Sequence, residues 1–122
     1  MTQRVLKGLS HPKAKILGHP TGRLLNKRPG YDVDWPQVFD FCRQHKKALE
    51  INAYPQRLDL PDNLIRAAIA ADVKLVIDTD SHSVDHLELI HYGVDQARRG
   101  WATSADIVNT WPWDKFRQFM LK

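Results

Sequence analysis

The chain has little sulfur chemistry to offer, because Cys42 is the only cysteine in 122 residues. An intramolecular disulfide is excluded, and so is a zinc site built on several thiolates, which leaves histidine and carboxylate for any metal work. Long apolar runs are also absent. No stretch approaches the roughly 20 residues that cross a bilayer, and the opening Met1-Thr2-Gln3-Arg4 lacks the apolar core of a signal peptide. We therefore expect no membrane partner and a cytoplasmic location. Low-complexity segments, linkers and repeats beyond a βα unit are missing too, so residues 1–122 are read as a single domain. Nor does one sign of charge dominate. Eighteen Lys plus Arg against 14 Asp plus Glu leave +4, a mild attraction toward polyanions well short of the density of a dedicated DNA-binding domain.

What is present is the composition of an ordinary globular protein, with 43% hydrophobic and 26% charged residues. A segment ending near Leu9 reads as the tail of a helix, and the apolar run 14–18 passes into His19-Pro20 as a strand and its exit. Gly22, Pro29 and Gly30, with Arg23, Lys27 and Arg28 between them, make 21–33 a long basic loop, a feature that compact domains keep for function. Asp34 with Gln37 three residues later is an N-cap pattern, and Val38, Phe41 and Cys42 follow on one helix face, with Cys42 a core residue. Residues 48–53 predict a second strand, 61–71 a second helix with Leu64, Ile65 and Ala68 inward, and 74–79 a third strand. Beyond it the pattern is helical. A helix over 84–99 stops at Gly100, Thr103-Ser104-Ala105-Asp106 resembles a capping box, and a last helix over 112–121 carries Trp113, Phe116, Phe119 and Met120.

The β-α-β-α-β order predicts an α/β fold with parallel strands joined by helical crossovers, since parallel neighbours cannot be joined by a tight hairpin. Three strands make a poor parallel sheet, which must be covered on both faces or closed into a barrel. The sequence therefore reads as a piece of a larger fold, with one face and one edge left bare. Side chains alternate along a strand, so Leu49 and Ile51 share one face while Glu50 and Asn52 share the other. Likewise Leu75, Ile77 and Thr79 oppose Val76, Asp78 and Asp80. Two neighbouring strands thus carry carboxylates on a face that should be buried, where they need donors, cations or a metal.

The most metal-competent residues fall at strand ends: His19, Asn52 and the pair Asp80 and His82. A histidine after a strand also serves as an ordinary polar residue, and Asp80 could hold a turn through its own backbone. His45, His86 and His91 lie on predicted helices and His11 begins a connection at the far end of its strand, so all four stand outside the candidate site.

Taken together, Ile16-Leu17-Gly18-His19-Pro20-Thr21-Gly22-Arg23, Leu49-Glu50-Ile51-Asn52-Ala53 and Asp78-Thr79-Asp80-Ser81-His82-Ser83 resemble the last motifs of the PHP (polymerase and histidinol phosphatase) domain. Tyr92-Gly93-Val94-Asp95-Gln96-Ala97-Arg98-Arg99-Gly100-Trp101 and Asn109-Thr110-Trp111-Pro112 resemble the version attached to bacterial family X DNA polymerases. The resemblance implies a partial βα barrel, the C-terminal portion of a distorted TIM-like barrel, with C-terminal helices. It implies a three-metal cluster of Zn or Mn that activates water against a phosphoester, as a 3′-5′ exonuclease and 3′-phosphatase on DNA ends in repair. Matched position by position, His19, Asp80 and His82 fall on metal ligands, Asn52 falls beside them as a residue that orients a ligand or water, and Arg23 and Arg57 are candidates for DNA phosphates.

The motif His-x-His that opens such domains, and the ligands that follow it, have no counterpart in these residues. Three inferred ligands do not complete a cluster, so the isolated chain is expected to be inactive and to pair with the missing N-terminal half of the barrel or with itself. The alternatives are a phosphoesterase similar to histidinol phosphatase and a non-catalytic interaction fragment. The Arg98-Arg99-Gly100-Trp101 and Asn109-Thr110-Trp111-Pro112 strings favour the polymerase branch.

Overall fold

In the computed structural model, which describes residues 1–121, the chain runs α1 (Thr2–Leu9), β1 (Ile16–Leu17), α2 (Trp35–His45), β2 (Ala48–Asn52), α3 (Asp62–Ala70), β3 (Lys74–Asp78), α4 (Ile90–Arg99) and α5 (Trp113–Leu121). The three strands lie side by side in sequence order, all parallel, with Leu17 opposite Leu49 and Leu49 opposite Leu75. The α/β alternation and the parallel pairing are those predicted, and the sheet shown is three-stranded. Among the described residues no helix is long and apolar enough to cross a membrane.

The two faces of the sheet are dressed unequally. Leu49, Ile51, Leu75 and Ile77 point into one core with Val38, Phe39 and Cys42 of α2, Ile65 and Ala68 of α3, and Ala97 of α4. Full burial of each large aliphatic side chain stabilises the fold by roughly 1.5–3 kcal/mol. On the other face Ala48 and Val76 meet Val108, with Trp111, Phe116 and Phe119 packed against them. The C-terminal aromatics therefore cover only the beginning of the strands, and Glu50, Asn52 and Asp78 lie further along that face.

Local details follow from the chain, with corrections. Asp34 Oδ1 accepts the Gln37 N–H at 3.3 Å and starts α2 as expected. The buried residues of α2 are Val38, Phe39 and Cys42, the i, i+1, i+4 set, with Trp35 and Phe41 partly buried against the same core, Phe41 beside His45. The predicted helix 84–99 is split. Val84–Leu89 winds as a 3-10 turn, and at its start the His82 N–H donates to His86 Nδ1 at 3.1 Å. Gly100 does end α4, for a packing reason. A Cβ there would stand 2.2 Å from Ile65 Cγ2, and the left-handed residue is its neighbour Trp101, φ 68°.

The sheet edges also differ. Asn109 lies alongside β3, its Oδ1 accepting the Ile77 N–H at 3.1 Å and its Nδ2 donating to the Ile77 carbonyl at 2.7 Å, and Ile107 bridges Leu75. One carboxamide thus satisfies a strand residue as a neighbouring strand would. β1, at the other side, has no strand on its outer edge among the described residues.

Candidate functional site

The site begins where the chain leaves β1. His19 is turned sharply at φ 27°, and Gly22 donates to the His19 carbonyl at 3.0 Å. The turn is pinned from below by Asp59, which is fully buried and accepts from Thr21 N–H at 3.1 Å and Gly22 N–H at 2.9 Å. Burial raises the Asp59 pKa although those N–H groups and the Arg23 charge pull it down. Gly22, at φ 69°, is required. A Cβ there would lie 2.3 Å from the Tyr31 ring.

From His19 a line of polar contacts crosses the strand ends. The His19 backbone N–H donates to Glu50 Oε2, Asn52 Nδ2 donates to Glu50 Oε2 at 3.4 Å and to Asp80 Oδ2 at 3.2 Å, and Asn52 Oδ1 accepts from Tyr54 N–H at 3.0 Å. Asp80 sits at φ 51° just past β3, a second non-glycine residue held left-handed at a strand exit. Burial first, and then the neighbouring Asp78 carboxyl, push the Glu50 carboxyl up to about 8. Asp78 Oδ1 is itself buried with no hydrogen-bond partner.

Beside Asp80 lies a cavity of about 290 Å³ lined by Arg57, His82, His86 and Tyr54. Arg57 Nε is 4.0 Å from Asp80 Oδ2, and its Nη1 is buried without a partner. His82 Nδ1 is 2.7 Å from the Asp80 carbonyl. A carbonyl can only accept, so Nδ1 carries a proton and donates, which leaves Nε2 as the nitrogen available to a metal.

Of the residues singled out from sequence, His19, Asn52, Asp80 and His82 all stand at the C-terminal ends of the parallel strands. Asp80, His82 and Arg57 share the cavity. His19 does not line it, and its tie to the others runs through its backbone and Glu50. Arg23 is used differently from Arg57. Its Nε donates to the Arg57 carbonyl at 2.9 Å and its Nη2 to the Leu58 carbonyl, so its guanidinium braces the segment that presents Arg57. Sequence reasoning set His86 aside, yet the 3-10 turn brings it beside His82. It also left Glu50 outside the site, where the one available signal was a carboxylate on a buried strand face. Among the described residues no group of three or more His, Cys, Asp or Glu is arranged to hold a metal ion. Asp80 and His82 have suitable donor chemistry but do not make a complete metal site by themselves.

No family model matches the chain. It is 38% identical over 107 residues to the DNA polymerase/3′-5′ exonuclease PolX of Bacillus subtilis, a match that covers 88% of this chain and 19% of that relative. The chain thus spans about a fifth of the length of the protein it matches. Over nearly nine-tenths of its own length, the chain is a relative of a segment of a bacterial family X DNA polymerase/3′-5′ exonuclease.

Proposed function

We propose that the chain is the C-terminal portion of a PHP-type, metal-dependent phosphoesterase that acts on DNA ends as a 3′-5′ exonuclease and 3′-phosphatase beside a family X polymerase. On this reading its three strands are part of a distorted βα barrel. The observation that carries the proposal is the alignment of His19, Glu50, Asn52 and Asp80 at one end of the strands, with Arg57 and His82 around a cavity next to Asp80. The relation to an exonuclease supplies the reaction class.

In this reading His19, Asp80 and His82 are ligands of a Zn or Mn cluster whose remaining ligands come from outside these residues. A bound metal would supply an activated water and neutralise the attacked phosphate. The chain's own residues hold the parts in place. Asn52 fixes Asp80, the Asp80 carbonyl fixes the His82 tautomer, and Arg57, with an unpartnered Nη1, offers a planar fork to a phosphate oxygen. Residues acting through fixed geometry of this kind are sensitive to small displacements.

The test is a chimera in which this chain replaces the matching segment of the Bacillus subtilis protein. We expect Mn-dependent 3′-5′ exonuclease activity that is lost in Asp80→Asn and His82→Gln, with polymerase activity kept as proof of folding. The purified chain alone should show little turnover on single-stranded DNA. A chimera that polymerises but does not degrade, or degrades equally well in Asp80→Asn, overturns the reading.

A further inference from the structure

At the other end of the sheet, where the strands begin, lies a larger cavity of about 400 Å³. Arg43, Lys46, Lys47, Lys74 and Lys115 line it against one carboxylate, Asp72, an excess of four that equals the formal charge of the whole chain. The arrangement follows from the topology. Lys47 immediately precedes β2, Lys74 opens β3, and Lys46 is the left-handed cap of α2, so each crossover delivers a cation to the same end.

The cations are not equivalent. Lys47 Nζ is taken up by the His11 and Ala14 carbonyls at 3.2 and 2.6 Å, Lys74 pairs with Asp72 at 3.3 Å, and Arg43 pairs with Asp40 at 2.7 Å. Lys46 and Lys115 have no carboxylate partner among the described residues. Lys15, just before β1, adds a further ammonium, and burial followed by the charges of Lys47 and Lys46 holds its pKa below the usual lysine value. Like charges gathered this closely destabilise a fold unless a counter-anion is supplied. Trp111 and Phe119 line the same cavity, with Lys115 Nζ 4.1 Å from the Trp111 ring centroid.

We propose that this cavity binds the phosphodiester backbone of single-stranded nucleic acid, with Lys46 and Lys115 as its phosphate contacts. Unpaired ammoniums beside aromatic rings are what a groove that tracks a single strand needs, since phosphates take the charges and bases lie against the rings. The location separates it from the candidate site around Asp80. The strands between the two ends are five residues long, about 16 Å at the usual rise per residue.

The experiment is fluorescence anisotropy of a labelled oligothymidylate with the purified chain, in chelator so that no hydrolysis intervenes. The variant is Lys46→Asn with Lys115→Gln, since Asn tolerates the left-handed φ of 54° at residue 46. We expect an affinity loss on the order of tenfold and a log-log salt slope shallower by about 1.4, two contacts at about 0.7 each. The control Arg4→Gln with Arg98→Gln removes the same charge from exposed positions on α1 and α4, neither of which lines the cavity, and should bind as the parent does. Equal binding by both variants and the parent overturns the proposal, as does equal loss in both variants, which would mean that net charge alone decides. Displacement by inorganic phosphate or polyglutamate at matched charge would also overturn it, because the cavity would then be a general anion site. Loss in the Lys46/Lys115 variant alone, with unfolding midpoint unchanged, supports it.

Discussion

Asn52 holds Asp80. From a position with no solvent exposure its Nδ2 reaches Asp80 Oδ2 at 3.2 Å, while the same group contacts Glu50 and its Oδ1 takes the Tyr54 N–H. Removing it leaves the buried Glu50 carboxyl and the Tyr54 N–H each short of a partner and frees the part-exposed Asp80. Asn52→Ala should therefore destabilise the chain by about 1–3 kcal/mol, read as a lower urea midpoint at unchanged slope. A midpoint equal to that of the parent would show that the amide does not position its neighbours.

Arg23 and Arg57 should respond oppositely to truncation. Arg23 makes two charge-assisted bonds to main-chain carbonyls, so Arg23→Ala should cost about 1.5–3 kcal/mol. Arg57 carries a buried nitrogen without a partner, and Arg57→Ala should leave stability unchanged or slightly raised while raising the KM for DNA in the chimera. Thermal unfolding of the two variants decides, and a larger loss in Arg57→Ala would reverse the assignment.

Much of this architecture is legible from the residues alone, because the βα alternation depends on local periodicity and parallel pairing follows from the crossovers. The strand-end positions of His19, Asp80 and His82 follow from the same pattern. What escapes is the long-range wiring. Glu50 is visible as a carboxylate on a buried face, but nothing local says that the His19 N–H, 31 residues away, will reach it. Arg23 and Arg57 look alike in a loop-rich sequence and separate only when the carbonyls of 57 and 58 fold under Arg23. His86 has a helical pattern, and its approach to His82 depends on a 3-10 winding that periodicity does not distinguish from an α-helix.

The Glu50 carboxyl sets a pH dependence whose sign can be worked out. Its folded pKa, about 8, lies above the ordinary value of 4.5, so between those values the folded chain holds a proton that the unfolded chain releases. That contribution to stability is fully present below 4.5 and is lost as pH rises through about 8. In chelator-treated protein, unfolding free energy should fall over this window by a few kcal/mol at most. Glu50→Gln keeps an oxygen for the His19 N–H and should flatten the curve. An unchanged slope in that variant would place the titration elsewhere.

The last prediction concerns the sheet edge. β3 is closed by the Asn109 carboxamide, and the aromatics around α5 cover the beginning of the second face, so the two most obvious sites of self-association are already occupied. β1 has neither protection. Ile16 is 36% exposed on an edge with no neighbouring strand among the described residues, and an apolar hollow formed with Val5 and Leu9 of α1 lies beside it. An edge strand flanked by apolar surface is a template for another chain, and a two-fold dimer is the commonest closed result. We expect the isolated chain to associate at micromolar concentration through β1. Ile16→Lys places a charge on that edge, the device natural sheets use against pairing, and should shift the sedimentation equilibrium to monomer without lowering the unfolding midpoint. Asn109→Ala should act in the opposite sense, since it bares the Ile77 backbone groups on β3 and adds a second edge for pairing. A parent chain that sediments as a monomer across this concentration range would show that two residues of β1 are too short an edge to recruit a partner.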